Sequence, residues 1–88
     1  MSSAITFDRM TTFEGAQECF MVVEGKFVGW LRRERPMKMG VHFRDIIDTS
    51  KPWMYTVEVG DLTLDIADGT NLRAVKKAMI EAYNAANG

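Results

Sequence analysis

The chain has 88 residues, 47% of them hydrophobic and 26% charged, with a formal net charge of −1. That is enough for one core, expected as a single domain over residues 1–88, and the balance gives no global field to draw it to nucleic acid or an anionic membrane. Cys19 is the only cysteine and His42 the only histidine, which excludes an intrachain disulfide and leaves too few ligands for a structural zinc.

No stretch reads as a signal peptide, and no apolar run approaches the ~20 residues of a membrane span. The expected location is the cytoplasm, with no membrane partner. No glycine-rich phosphate loop, nucleophile elbow or HExxH motif is present, so the chain is expected not to be an enzyme and to carry no cofactor, catalytic residue or metal site.

In chain order, residues 4–8 read as a short strand. Residues 17–33 read as a hairpin turning at Glu24-Gly25-Lys26, where glycine supplies the positive φ of a tight turn. Simple alternation places Cys19, Met21, Val28 and Trp30 on one face of it. Phe20, Val22, Phe27 and Leu31 fall on the other. Both faces are apolar, whereas a sheet with one wet face alternates. Either residues 1–16 cover the second face with Ile5, Phe7 and Phe13, or a partner does.

Residues 34–52 are punctuated by Pro36, Gly40 and Pro52 and read as irregular, with residues 41–48 left open between helix and strand. Residues 53–66 then alternate cleanly around Gly60-Asp61. A two-residue turn there pairs Val59 with Leu62, Val57 with Leu64 and Tyr55 with Ile66, and on the other face Glu58 with Thr63 and Thr56 with Asp65. After an N-cap at Asp68 or Thr70, the apolar stripe Leu72, Val75, Met79, Ala82, Tyr83 and Ala86 predicts an amphipathic helix. The expected fold is α+β: an antiparallel sheet of four or five strands with the C-terminal helix packed on one face.

Charge is uneven along the chain. Residues 32–52 hold six bases and three acids. Arg32, Arg33, Arg35 and Lys38 follow Trp30 and are interleaved with Met37 and Met39. Guanidinium forks suit phosphate or carboxylate, and Trp and Met suit an adaptable protein contact. These seven residues form the expected partner-binding surface. A second patch is expected on the outer face of the helix, with Ile80 as an anchor among Arg73, Lys76 and Lys77. Asp61, Asp65 and Asp68 lack calcium-loop spacing and read as turn and surface residues.

The run Val22-Val23-Glu24-Gly25-Lys26-Phe27-Val28-Gly29-Trp30-Leu31, then Trp53-Met54-Tyr55, then the helix from Leu72 to Ala82, resembles the sheet-then-helix layout of small bacteriophage accessory proteins, including anti-CRISPR-type inhibitors of bacterial defence. It is also similar in layout to small three-stranded-sheet-plus-helix DNA readers. The first resemblance implies a protein-binding module that occludes a site on a host nucleic-acid machine. The alternatives are direct nucleic-acid binding through the Arg32–Lys38 bases, and a homodimer that buries the surplus apolar face. Met54, Glu58 and Asp65 on the second hairpin count against the DNA-reading alternative.

Overall fold

The computed structural model describes residues 4–13, 15–40 and 45–87. Strands β1 (Ile5–Phe7), β2 (Thr11–Phe13), β3 (Ala16–Val23), β4 (Lys26–Glu34), β7 (Met54–Val59) and β8 (Leu62–Leu64) form one antiparallel sheet. Its order is β1-β3-β4-β7-β8, with β2 also lying on β3. Strands β5 (Met37–Met39) and β6 (Asp45–Ile47) form a separate two-stranded sheet, and helix α1 spans Leu72–Asn87. The α+β expectation holds, with six strands in the main sheet rather than four or five. Within the stretch expected to be irregular, β5 and β6 pair. Residues 41–44, His42 and Arg44 among them, lie outside the described residues.

The first hairpin turns at Glu24-Gly25, and both residues take positive φ, 53° and 77°. That is the turn whose twist matches the flanking strands. Beyond it the register breaks. Val23 pairs with Lys26 and Val22 with Phe27, but Met21 pairs with Gly29, Phe20 with Trp30 and Cys19 with Leu31. Val28 is the extra residue of a β-bulge. It exchanges the faces of everything after it, so Leu31 joins Cys19 and Met21, and Trp30 joins Phe20. Simple alternation had these two reversed, because one inserted residue inverts a period of two.

The second hairpin keeps the expected pairs Val57–Leu64, Glu58–Thr63 and Val59–Leu62. The ladder stops there. Asp65 and Ile66 lie outside the strand, so the expected Thr56–Asp65 and Tyr55–Ile66 pairs are not part of it.

One sheet face carries Cys19, Met21, Leu31, Val57 and Val59, and α1 lays Val75 and Met79 on it. All seven are buried, and each large side chain contributes about 1.5–3 kcal/mol through burial. Ile5 and Phe7 pack against this same core. Segment 4–13 therefore widens the sheet at its edge through β1 and β2, and does not fold over the second face. Phe13 is 71% exposed.

The cap lies beyond both expected positions, one residue after Thr70 and three after Asp68. Asn71 Oδ1 accepts the Ala74 N–H at 2.8 Å, which makes Asn71 the N-cap, while the Thr70 hydroxyl donates to the Ala67 carbonyl. Asn71→Ala is expected to lower stability by about 1 kcal/mol in denaturant titration. Asp68→Ala, which removes no such bond, should leave the midpoint nearly unmoved.

Candidate functional site

The open face, opposite α1, is built by the bulge. Phe13, Phe20, Phe27, Trp30 and Met54 share it across β2, β3, β4 and β7. The Phe20 and Phe27 rings are 4.9 Å apart, tilted by 41°. Phe27 is 69% exposed, and Trp30 is held in place by donating its indole N–H to Glu18 at 3.3 Å. A shallow hollow of about 240 Å³ opens among Phe20, Phe27, Trp30 and Glu58. Thr56, Glu58 and Thr63 on β7 and β8 give this apolar patch a polar border. No described element packs over it. Contiguous apolar surface with a polar border is the mark of an interaction site.

The seven residues expected to form one surface are divided. Trp30 and Arg32 stand on the open face, and Arg32 reaches Glu34 at 3.7 Å. Arg33 and Arg35 turn to the opposite face, where their guanidinium carbons lie 4.2 and 4.4 Å from the centre of the Trp53 ring. Arg33 also donates from Nε to Gln17 at 2.8 Å. Met37 lies against Gly15, Lys38 lies 3.7 Å from Asp48, and Met39 is 68% exposed. Alternation along β4 is the reason for the division: neighbouring arginines on a strand cannot share a face. Trp53 is the organising side chain, since cation–π contact with two arginines fixes that end of the sheet. Arg35 Nε and the Tyr55 hydroxyl are both buried there without a hydrogen-bond partner.

Asp48 anchors the β5–β6 hairpin. Its carboxylate accepts the Ser50 N–H and hydroxyl, and its own N–H donates to the Pro36 carbonyl at 2.8 Å. The Ser50 bonds hold the Asp48 carboxyl below the usual carboxylate range. A depressed folded pKa means that this contribution is present above the unfolded value and is lost as the pH falls through the folded one.

The second expected patch is brought together. Arg73, Lys76, Lys77 and Ile80 line a groove of about 720 Å³ between α1 and the edge strand β1. Ile5, Phe7, Leu72 and Glu81 complete its lining. Ile80 was expected on the outer helix face. It is half-buried against the core instead, because β1 extends the sheet beneath that side of the helix. Lys76 Nζ lies 5.0 Å from the centre of the Phe7 ring.

Among the described residues, no group of three or more His, Cys, Asp or Glu side chains is placed to hold a metal. No helix among them is long and apolar enough to cross a membrane. Cys19 is buried in the core, and burial pushes its thiol up. Because only the thiolate is nucleophilic, alkylation by iodoacetamide at mildly alkaline pH is expected to be far slower on the folded chain than in denaturant. Equal rates would show an accessible thiol.

The sequence signal for the open face was the apolar character of both faces of β3. What alternation missed was the bulge, and with it the grouping of Trp30 with Phe20. Comparison of the chain with protein-family models, with curated proteins and with solved structures finds no match.

Proposed function

We propose that this chain is a non-enzymatic protein-binding module whose contact surface is the open sheet face centred on Phe20, Phe27 and Trp30, with Arg32 at its side. One observation carries the reading: a row of aromatic side chains lies on a sheet face that no described element covers, while α1 and β1 use the other face for the core. Trp, Phe and Arg are enriched where proteins meet, and a few of them carry most of the affinity. The acids Glu18, Glu34 and Glu58 on the same face favour a protein over a polyanion. Buried Cys19 is an unsuitable nucleophile, which agrees with a binding role. In its narrower form, supported by the sheet-then-helix layout, the partner is a host nucleic-acid machine whose site this face occludes.

A second reading, direct nucleic-acid contact, has Arg33 and Arg35 beside Trp53 in its favour. It is weakened by the division of the bases between two faces. It predicts affinity for oligonucleotides that falls steeply with salt.

The test is retention of a partner from nuclease-treated bacterial lysate by the wild type and by Phe27→Asp/Trp30→Ala, each first shown folded by circular dichroism. Retention by the wild type and its loss in the variant would support the reading. Equal retention by both would overturn it. Sedimentation of the purified chain gives the remaining alternative directly, because a homodimer through this face would dissociate in the same variant.

A further inference from the structure

The groove between α1 and β1 is an unfinished layer. Among the described residues, strand β1 is the last strand on its side of the sheet. Its backbone geometry follows from one bond: the Asp8 N–H donates to the Phe20 carbonyl at 3.0 Å. In an antiparallel ladder, successive residues turn their backbone groups alternately toward and away from the neighbour. With Ile5 opposite Val23, Thr6 opposite Val22 and Phe7 opposite Met21, Thr6 and Asp8 face β3. Ile5 and Phe7 therefore turn both N–H and C=O outward, away from the sheet. The side chains of these same two residues line the groove floor beside Leu72 and Ile80. Among the described residues nothing bonds these outward groups, so open backbone and apolar contact lie on one line, which is the arrangement that accepts an added strand. The upper rim decides what kind of strand. Arg73, Lys76 and Lys77 stand on the helix above the groove, against the single acid Glu81.

We infer that this groove binds an extended, acidic segment of a protein partner as an extra strand on β1, with apolar side chains against Ile5, Phe7 and Ile80 and carboxylates against Lys76 and Lys77. The apolar floor and the bases both lie on the α1 side of the sheet. A strand presents only every second residue to that side, so apolar and acidic side chains must share the groove-facing positions i, i+2 and i+4. Charge complementarity of this kind sets orientation and partner choice. The inference rests on the protein-binding reading but uses a different surface from the open face.

The test uses isotopically labelled full chain and a synthetic peptide about eight residues long, enough to span an edge strand, in which Val and Glu take turns at every second position with Thr between them. A peptide with Lys in place of Glu is the control. The Val-Glu peptide is expected to slow hydrogen exchange at the Ile5 and Phe7 amides and to shift the resonances of helix residues 72–81. Lys76→Glu/Lys77→Glu should weaken it roughly tenfold, the loss of one or two charge contacts, and should tighten the lysine peptide. No shifts, shifts confined to other surfaces, or equal binding of both peptides would overturn the inference. So would a concentration-dependent dimer that protects the same amides without peptide, since the edge would then belong to a second copy. Phe27→Asp should leave peptide binding unchanged, so failure of the open-face reading and failure of this one are read separately.

Discussion

Leu31→Ala is expected to cost about 2–5 kcal/mol of stability, while its neighbour Trp30→Ala costs about 1 kcal/mol or less. Leu31 is fully buried and belongs to the cluster closed by Val75 and Met79, so its truncation leaves a cavity beneath the helix. Trp30 stands half-buried on the open face with one indole hydrogen bond to Glu18, and its removal opens no core void. The contrast is a direct test of the bulge at Val28. An unbulged hairpin would bury Trp30 with Cys19 and Met21 and expose Leu31, and the order of the two costs would reverse. Urea titrations of both variants, compared at equal slope, decide it.

The same strand shows how far the sequence could be read. The second hairpin was legible because its alternation, its glycine turn and its register agree over Val57–Leu64. The helix was legible because an apolar stripe of period 3.6 needs no partner to be recognised. Its cap was not, since Asp68, Thr70 and Asn71 are all competent cap residues and only the Asn71–Ala74 bond selects one. The first hairpin announced itself through Gly25, but the only hint of the bulge is Gly29 inside the strand, which fits a close backbone approach equally well. Val28 looks like any strand residue. The role of residues 4–13 was a question of topology: Ile5 and Phe7 suit a core whether the segment lies on a face or extends an edge. The basic surface was read as a run along the chain, and strand geometry divides such a run. Arg73, Lys76, Lys77 and Ile80 lie together because they recur at spacings of three and four, which keeps them neighbours on a helix. That Ile5 and Phe7 complete its groove depends on β1 pairing with β3, a contact with no local signal.

Gly29 concentrates these constraints at one position. It lies opposite Met21 on one side and Val59 on the other. A Cβ built on it would meet the Glu58 carbonyl oxygen at 3.1 Å and Met21 Cβ and Cε at 3.2 Å. Glycine inside a strand usually weakens it, so a close approach is the reason to keep one. Here the missing side chain makes room for the fully buried Met21. The Met21 thioether can adjust, being unbranched and flexible. The Glu58 carbonyl belongs to the β7 backbone and moves only with its ladder. Gly29→Val is therefore expected to destabilise the fold by about 1–3 kcal/mol through overpacking. Gly29→Val/Met21→Ala should not recover the loss, because the carbonyl clash persists and Met21→Ala adds a cavity. Recovery in the double variant would show that Met21, and not the β7 backbone, sets the limit. The measurement is the denaturation midpoint of the two variants beside the wild type. Gly25→Val makes an instructive companion: nothing lies within 4 Å of that position, so any cost there comes from its φ of +77° alone.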